Sequence, residues 1–225
     1  MESYMNRISN TGIVPVVKIL EKEDAYPLAK ALLNGGIDVI EVTYRSEHAT
    51  SAIQTISEQL PDMLVGAGTV LSVEQAKEAV EAGAKFIITP GFNTKVVQWC
   101  LDHDVEVYPG VSTASEVEMA LSMGLTQLKF FPAESSGGAK KLKDLSAPYA
   151  NVHFMPTGGI NTKNMHDYLS LPNVEAIGGS FMLPNDLVVA KDWDGIEALS
   201  RSAIKSLFCL LYTSPSPRDI SGSRM

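Results

Sequence analysis

The stretch Ile37 to Thr43, "IDVIEVT", decides how the rest of the chain is read. It is rich in Val and Ile and too short for a helix, so it reads as a β-strand. The segments on either side, "DAYPLAKALLNGG" (24–36) and "SAIQTISEQLP" (51–61), carry apolar residues at helical spacing. The same alternation runs through the chain. Further strand candidates are "IVPVVK" (13–18), "LVGAGT" (64–69), "KFIIT" (85–89), "VEVYP" (105–109), "QLKFF" (127–131), "VHFMP" (152–156) and "VEAIG" (174–178). Between them lie "SVEQAKEAVEAGA", "TKVVQWCLDH" and "ASEVEMALSMG", amphipathic segments of which several close on a Gly beyond the last turn. Ser72 to Gln75 has the spacing of a capping box.

About eight strand–helix units with no break in composition predict one domain over residues 1–207. Consecutive parallel strands need helical crossovers, so the predicted fold is a single α/β (β/α)8 TIM barrel. A doubly wound open sheet is the alternative. The barrel makes a demand: functional residues should stand at the C-terminal strand ends or in the loops that follow.

The chain has 225 residues, 45% hydrophobic and 20% charged, with a formal net charge of −8. That is the composition of a globular protein, and it offers no basic stripe for nucleic acid or an anionic membrane. An anionic substrate must be met by a local site. The start lacks the apolar run of a signal peptide and no stretch is long and apolar enough to cross a bilayer, so a cytoplasmic enzyme is expected. Two cysteines, Cys100 and Cys209, form no disulfide framework, and the four histidines are scattered, so no metal site is expected. Residues 208–225, "FCLLYTSPSPRDISGSRM", break the helical pattern before them. They look like a reading-frame translation of a transposase-type sequencing adapter, so they are expected to be a non-native tail.

Lys129 sits in an apolar strand, and a period of two separates it from Leu128 and Phe130. If those two pack beneath the helices, Lys129 points inward. A buried ammonium is costly, so it must lose its proton or sit beside a carboxylate, and a neutral amine is a nucleophile toward carbonyl carbon. An outward lysine reaching solvent along its stem is the alternative, which the flanking Phe pair and Pro132 argue against. Glu41, Thr43 and Arg45 share one face of the strand at 37–43 and its continuation. They can form an internal ion pair, or Glu41 can move protons while the planar fork of Arg45 holds a carboxylate. Glycine-rich turns follow the third, seventh and eighth strand candidates. Gly158, Gly159, Gly178, Gly179 and Ser180 offer backbone N–H groups where barrels commonly bind phosphate, although glycine also serves tight turns. Pro90, after the fourth, is explained by turn geometry or as a pocket wall.

In this order, "EVTYR", "VGAGTVL", "TPGF", "PGVST", "LKFFPAE", "PTGGI" and "GGS" resemble the 2-keto-3-deoxy-6-phosphogluconate (KDPG) and 4-hydroxy-2-oxoglutarate (KHG) aldolase family. The likeness spans about residues 12 to 207. It implies a class I aldolase without metal or other cofactor, acting on a small 2-keto acid and assembling as a homotrimer. Carried over by motif, Lys129 forms the Schiff base and Glu41 is the general acid/base. Arg45 and Thr69 hold the carboxylate end, with Pro90 and Phe131 lining the substrate pocket. Thr157 bears on stereochemistry, and the turns at 158–159 and 178–180 bind phosphate. Tyr44 and Ser46 depart from the family's usual residues. The rival readings are a phosphosugar isomerase or epimerase on the same barrel, the phosphogalactonate-specific aldolase, and a non-catalytic or unstable barrel resulting from the altered C-terminus.

Overall fold

A computed structural model describes residues 3–211, with side chains as far as Leu207. The chain opens with α1 (Tyr4–Thr11), capped by the Ser3 side chain. It then alternates β1 (Ile13–Val17), α2 (Ala25–Asn34), β2 (Val39–Thr43), α3 (Ala49–Gln59), β3 (Leu64–Gly68), α4 (Val73–Glu81), β4 (Phe86–Ile88) and α5 (Thr94–Asp102). β5 (Glu106–Tyr108), β6 (Gly110–Val111), α6 (Ala114–Ser122), β7 (Gln127–Phe130), α7 (Gly138–Ser146), β8 (His153–Pro156), α8 (Met165–Leu169), β9 (Ile177–Gly179), α9 (Asn185–Ala190) and α10 (Trp193–Leu211) complete it. The tail expected from Phe208 onward lies outside the described residues, apart from the backbone of 208–211 in α10.

The expected closed eight-stranded barrel must be corrected. The strands form two parallel ladders, one ordered β5-β4-β3-β2-β1-β9 and one ordered β6-β7-β8. Pro109 marks one break. It has no N–H to donate, and what was expected as one strand ending there becomes β5, a proline, and β6 paired to β7. At the other break β8 and β9 are joined by isolated bridges, Phe154 to Val174 and Thr157 to Gly178, and not by a ladder. The last strand also sits later than expected, at 177–179 in place of 174–178.

Two separate apolar clusters reveal which way each strand residue points. Ile13, Val17, Ile40, Val42, Leu128 and Phe130 join the large cluster beneath the helices. Val14, Val39, Leu64, Phe86, Ile88, Tyr108 and Met155 form a second cluster on the opposite, inner face, where Met5 and Ile8 of α1 join them. The period of two sorts the side chains, so residues between members of the first cluster face inward. The Phe86 and Tyr108 rings pack in this inner cluster with centroids 5.6 Å apart. Gly66 makes that possible, because a Cβ there would lie 2.0 Å from the Phe86 ring.

The helix ends follow local chemistry, with one surprise. Ser72 does accept from the Gln75 N–H at 3.2 Å, but the Gln75 side chain reaches past it to the Leu71 N–H, so the expected capping box is half formed. A complete box forms at Thr113 and Glu116, at the start of α6. Cys100 is buried within α5 and its thiol is pushed up to about 12 by burial, which leaves it a packing residue.

Candidate active site

Lys129 lies between Leu128 and Phe130, both 0% exposed in the outer cluster, and is turned inward with its side chain 5% exposed. Its Nζ donates to Glu41 Oε1 at 3.0 Å and Oε2 at 3.4 Å. Glu41 is likewise held inward between Ile40 and Val42, and its side chain is fully buried. The cation is therefore paired, which removes the conflict of a charged group in an apolar strand. The Phe131 ring centroid is 5.4 Å from the same Nζ.

The pair exists because the neighbouring strand makes room. Thr43 pairs with Gly68 across β2 and β3, and a Cβ on Gly68 would lie 2.0 Å from Glu41 Oε1 and 2.4 Å from its Cγ. Only glycine leaves the carboxylate space at that height. The next residue, Thr69, is half-buried and has φ +54°, a left-handed conformation that a β-branched residue adopts only under constraint.

Arg45 stands exposed beyond the end of β2 and does not pair with Glu41, so the internal Glu–Arg bridge does not form. Its Nε donates to Thr43 Oγ1 at 3.0 Å, and Thr43 Oγ1 donates to the Val17 carbonyl at 2.7 Å. Thr43 is fully buried, and its single proton is committed to Val17, so the hydroxyl can only accept from Arg45. This leaves the outer Nη edge of the guanidinium for a ligand.

On the far side, Thr157 follows β8 with its N–H on the Phe130 carbonyl at 2.9 Å. Its hydroxyl is buried with no hydrogen-bond partner, and a Cβ on Gly178 would sit 2.2 Å from it. Gly158 and Gly159 have φ +105° and +80°, and Gly159 and Ser180 are exposed at the strand ends. The loop after β7 runs beside them: Ala133 N–H donates to the Thr157 carbonyl at 2.8 Å and Glu134 N–H to the Gly158 carbonyl at 3.1 Å. Tyr168 of α8 donates to the Glu134 carboxylate, anchoring that loop from behind. The Phe131–Pro132 peptide within it is cis.

The structure thus brings Lys129, Glu41 and Phe131 into contact, and sets Arg45, Thr69, Thr157, Gly158, Gly159, Gly178, Gly179 and Ser180 at the same C-terminal ends of the strands. Pro90 is less integrated: it lines an open groove with Val70, Leu71 and Phe92, whose walls include neither Lys129 nor Glu41. Two residues with a part in the geometry were not singled out as site residues from sequence. Thr43 was visible in the alternation with Arg45, whereas the role of Gly68 depends on the register of two strands.

The chemistry available is specific. An ammonium and a carboxylate in hydrogen-bond contact can transfer a proton, giving a neutral nucleophile and a neutral acid in one step. Comparison with known proteins agrees in the arrangement and in the sequence. The model of the family described as "KDPG and KHG aldolase" matches residues 4–199. The chain is 44% identical over 205 residues to 2-dehydro-3-deoxy-phosphogluconate aldolase of Treponema pallidum, covering 91% of this chain and 98% of that one. It is 44% identical over 199 residues to the KHG/KDPG aldolase of Escherichia coli, covering 88% and 93%. A crystal structure of KDPG aldolase from Legionella pneumophila, with pyruvate captured at low pH as a covalent carbinolamine intermediate, superposes with a TM-score of 0.87 at 39% identity, over 90% of this chain and 99% of that one. The chain belongs to the KDPG and KHG aldolase family.

Proposed function

We propose that the chain is a class I aldolase that splits 2-keto-3-deoxy-6-phosphogluconate into pyruvate and glyceraldehyde 3-phosphate, and 4-hydroxy-2-oxoglutarate into pyruvate and glyoxylate. The observation that carries this reading is the buried contact of 3.0 Å between Lys129 Nζ and Glu41 Oε1. Glu41 takes a proton from the Lys129 ammonium, and the free amine attacks C2 of the keto acid. Glu41 returns the proton to the C2 oxygen, giving a carbinolamine, and loss of water leaves a protonated imine. The imine draws the C3–C4 bonding pair toward nitrogen as Glu41 removes the proton of the C4 hydroxyl. The aldehyde departs and an enamine remains. Protonation at C3 and attack of water at C2 release pyruvate and restore the amine. The iminium is the electron sink, so the protein need only form it and carry protons.

Arg45 and Thr69 hold the carboxylate of the keto acid, with the Nη edge of Arg45 aimed at it by Thr43. Phe131 covers the imine, Pro90 walls the outer pocket, and the hydroxyl of Thr157 meets the C4 hydroxyl. The turns at Gly158–Gly159 and Gly178–Gly179–Ser180 take the phosphate through backbone N–H groups. A cytoplasmic homotrimer completes the proposal. Among the described residues, no helix is long and apolar enough to cross a membrane.

The decisive test is borohydride reduction in the presence of pyruvate, followed by peptide mapping. Irreversible labelling at Lys129 with loss of activity is expected. Fully active, unlabelled protein would point instead to an isomerase using Glu41 as base. The same assay probes Thr43. Thr43→Val should raise the pyruvate concentration that half-saturates labelling about 5- to 10-fold, because Arg45 loses its acceptor, whereas Thr43→Ser should stay near the parent value. Equal labelling curves for parent and Thr43→Val would remove Thr43 from the positioning of Arg45.

A further inference from the structure

The turns assigned to phosphate supply neutral dipoles only, on a chain whose formal net charge is −8. A cation beside them would strengthen the hold on a dianion, and the proposed mechanism gives Arg45 to the other end of the substrate. The end of β1 supplies a candidate. Val17 and Ile19 are 1% and 0% exposed and both belong to the outer cluster, yet Lys18 between them is exposed. Val14 lies in the inner cluster. Strand alternation therefore carries Lys18 along the inner track of Val14 and Val16, out to the rim where Arg45 and Ser180 stand.

Register fixes its neighbours. β1 lies between β9 and β2. Val14 pairs with Gly178 and Pro15 with Gly179, while Val16 pairs with Glu41 and Val17 with Val42. Continuing one step puts Val16 level with Ser180 and Lys18 level with Thr43. Lys18 thus rises from the strand between the Gly178–Ser180 turn and the Arg45 strand, one inward position above the level of Glu41. Among the described residues no carboxylate forms an ion pair with it.

We propose that Lys18 is a substrate-binding residue whose ammonium closes over the phosphate held by these turns. The proposal rests on the aldolase reading and extends its phosphate site by a residue that the glycine motifs do not include. A charge-assisted contact adds strength that backbone dipoles alone lack. A flexible lysine stem on the rim can fold over a substrate already seated in the site.

The test compares Lys18→Met, Lys18→Arg and, as a control for net charge, Lys85→Met at the exposed opposite end of β4. The two readouts are KM and kcat for 2-keto-3-deoxy-6-phosphogluconate, and half-saturation of pyruvate methyl-proton exchange, which involves no phosphate. Lys18→Met is expected to raise KM about 5- to 20-fold with kcat within about twofold, and to flatten the salt dependence of kcat/KM. Pyruvate half-saturation should move less than about twofold, Lys18→Arg should recover most of the loss, and Lys85→Met should match the parent. An unchanged KM in Lys18→Met, or an equal rise for pyruvate and for the phosphorylated substrate, overturns the proposal; the second result would move Lys18 to the carboxylate end. Borohydride labelling run alongside separates the two readings. If Lys129 of the parent is labelled, an unchanged KM counts against Lys18 alone. If it is not, the aldolase reading fails first.

Discussion

Lys129→Ala is expected to lower retro-aldol cleavage by at least about 10⁴-fold, the scale on which removal of a covalent nucleophile acts. Its effect on stability should be separable. The substitution strands the Glu41 carboxylate, which is 0% exposed, without its only ion-pair partner among the described residues. Removing one partner of a buried pair typically costs about 3–5 kcal/mol, because the remaining charge is left uncompensated. Lys129→Met combined with Glu41→Gln keeps the volume and removes both charges, so it should recover much of the lost melting temperature and none of the activity. Measured cleavage and thermal melts of the two variants check this. Retained cleavage in Lys129→Ala would falsify the imine mechanism outright.

Gly68→Ala tests the carboxylate without touching an ionisable group. The added Cβ would lie 2.0 Å from Glu41 Oε1, 2.4 Å from Cγ and 2.5 Å from Cδ, so the side chain must rotate away from Lys129. General acid–base transfer contributes about 10²–10⁴-fold, and kcat should fall into that range while the protein remains folded, destabilised by about 1–3 kcal/mol of overpacking. Steady-state kinetics with a denaturant melt provide the check. A Gly68→Ala enzyme with parental kcat would mean that Glu41 does not carry the protons from the position it occupies here.

The order of strands and helices was legible because each is coded locally. "IDVIEVT" became β2 and "QLKFF" became β7 with little change in extent. Ladder closure was not legible, since it depends on whether a residue's N–H finds a distant partner. Pro109 looked like an ordinary strand end, yet pairing resumes one residue later at Gly110, opposite Lys129. The alternation showed that Lys129 lies opposite Leu128 and Phe130, and the packing of those two beneath the helices then turns it inward. Glu41 on an inward-facing track was thus a candidate partner for Lys129, but the contact across 88 residues and two different sheets rests on the relative height of β2 and β7, which no local pattern encodes. The capping boxes teach the same lesson on a smaller scale. Ser72 and Gln75 have the right spacing, but the Gln75 amide found the Leu71 N–H; the motif closed instead at Thr113 and Glu116, which the sequence reading did not single out.

Met5 and Ile8 of α1 are 3% and 0% exposed and join the inner cluster at the N-terminal end of the strands, where the Tyr4 N–H meets Glu106 and Arg7 meets Asp38, the end opposite Arg45. That end of the inner face is therefore filled by α1, and the proposed substrate meets Lys129 from the C-terminal strand ends. On the proposed mechanism the pyruvate fragment is tethered through its imine to Lys129, and the aldehyde with its phosphate lies nearer the exposed Gly159 and Ser180. The proposed chemistry then predicts an order of departure: the aldehyde leaves first, and water attacks the imine from the space the aldehyde has vacated. In the synthetic direction the queue reverses, and an aldehyde that enters ahead of pyruvate blocks the amine it needs.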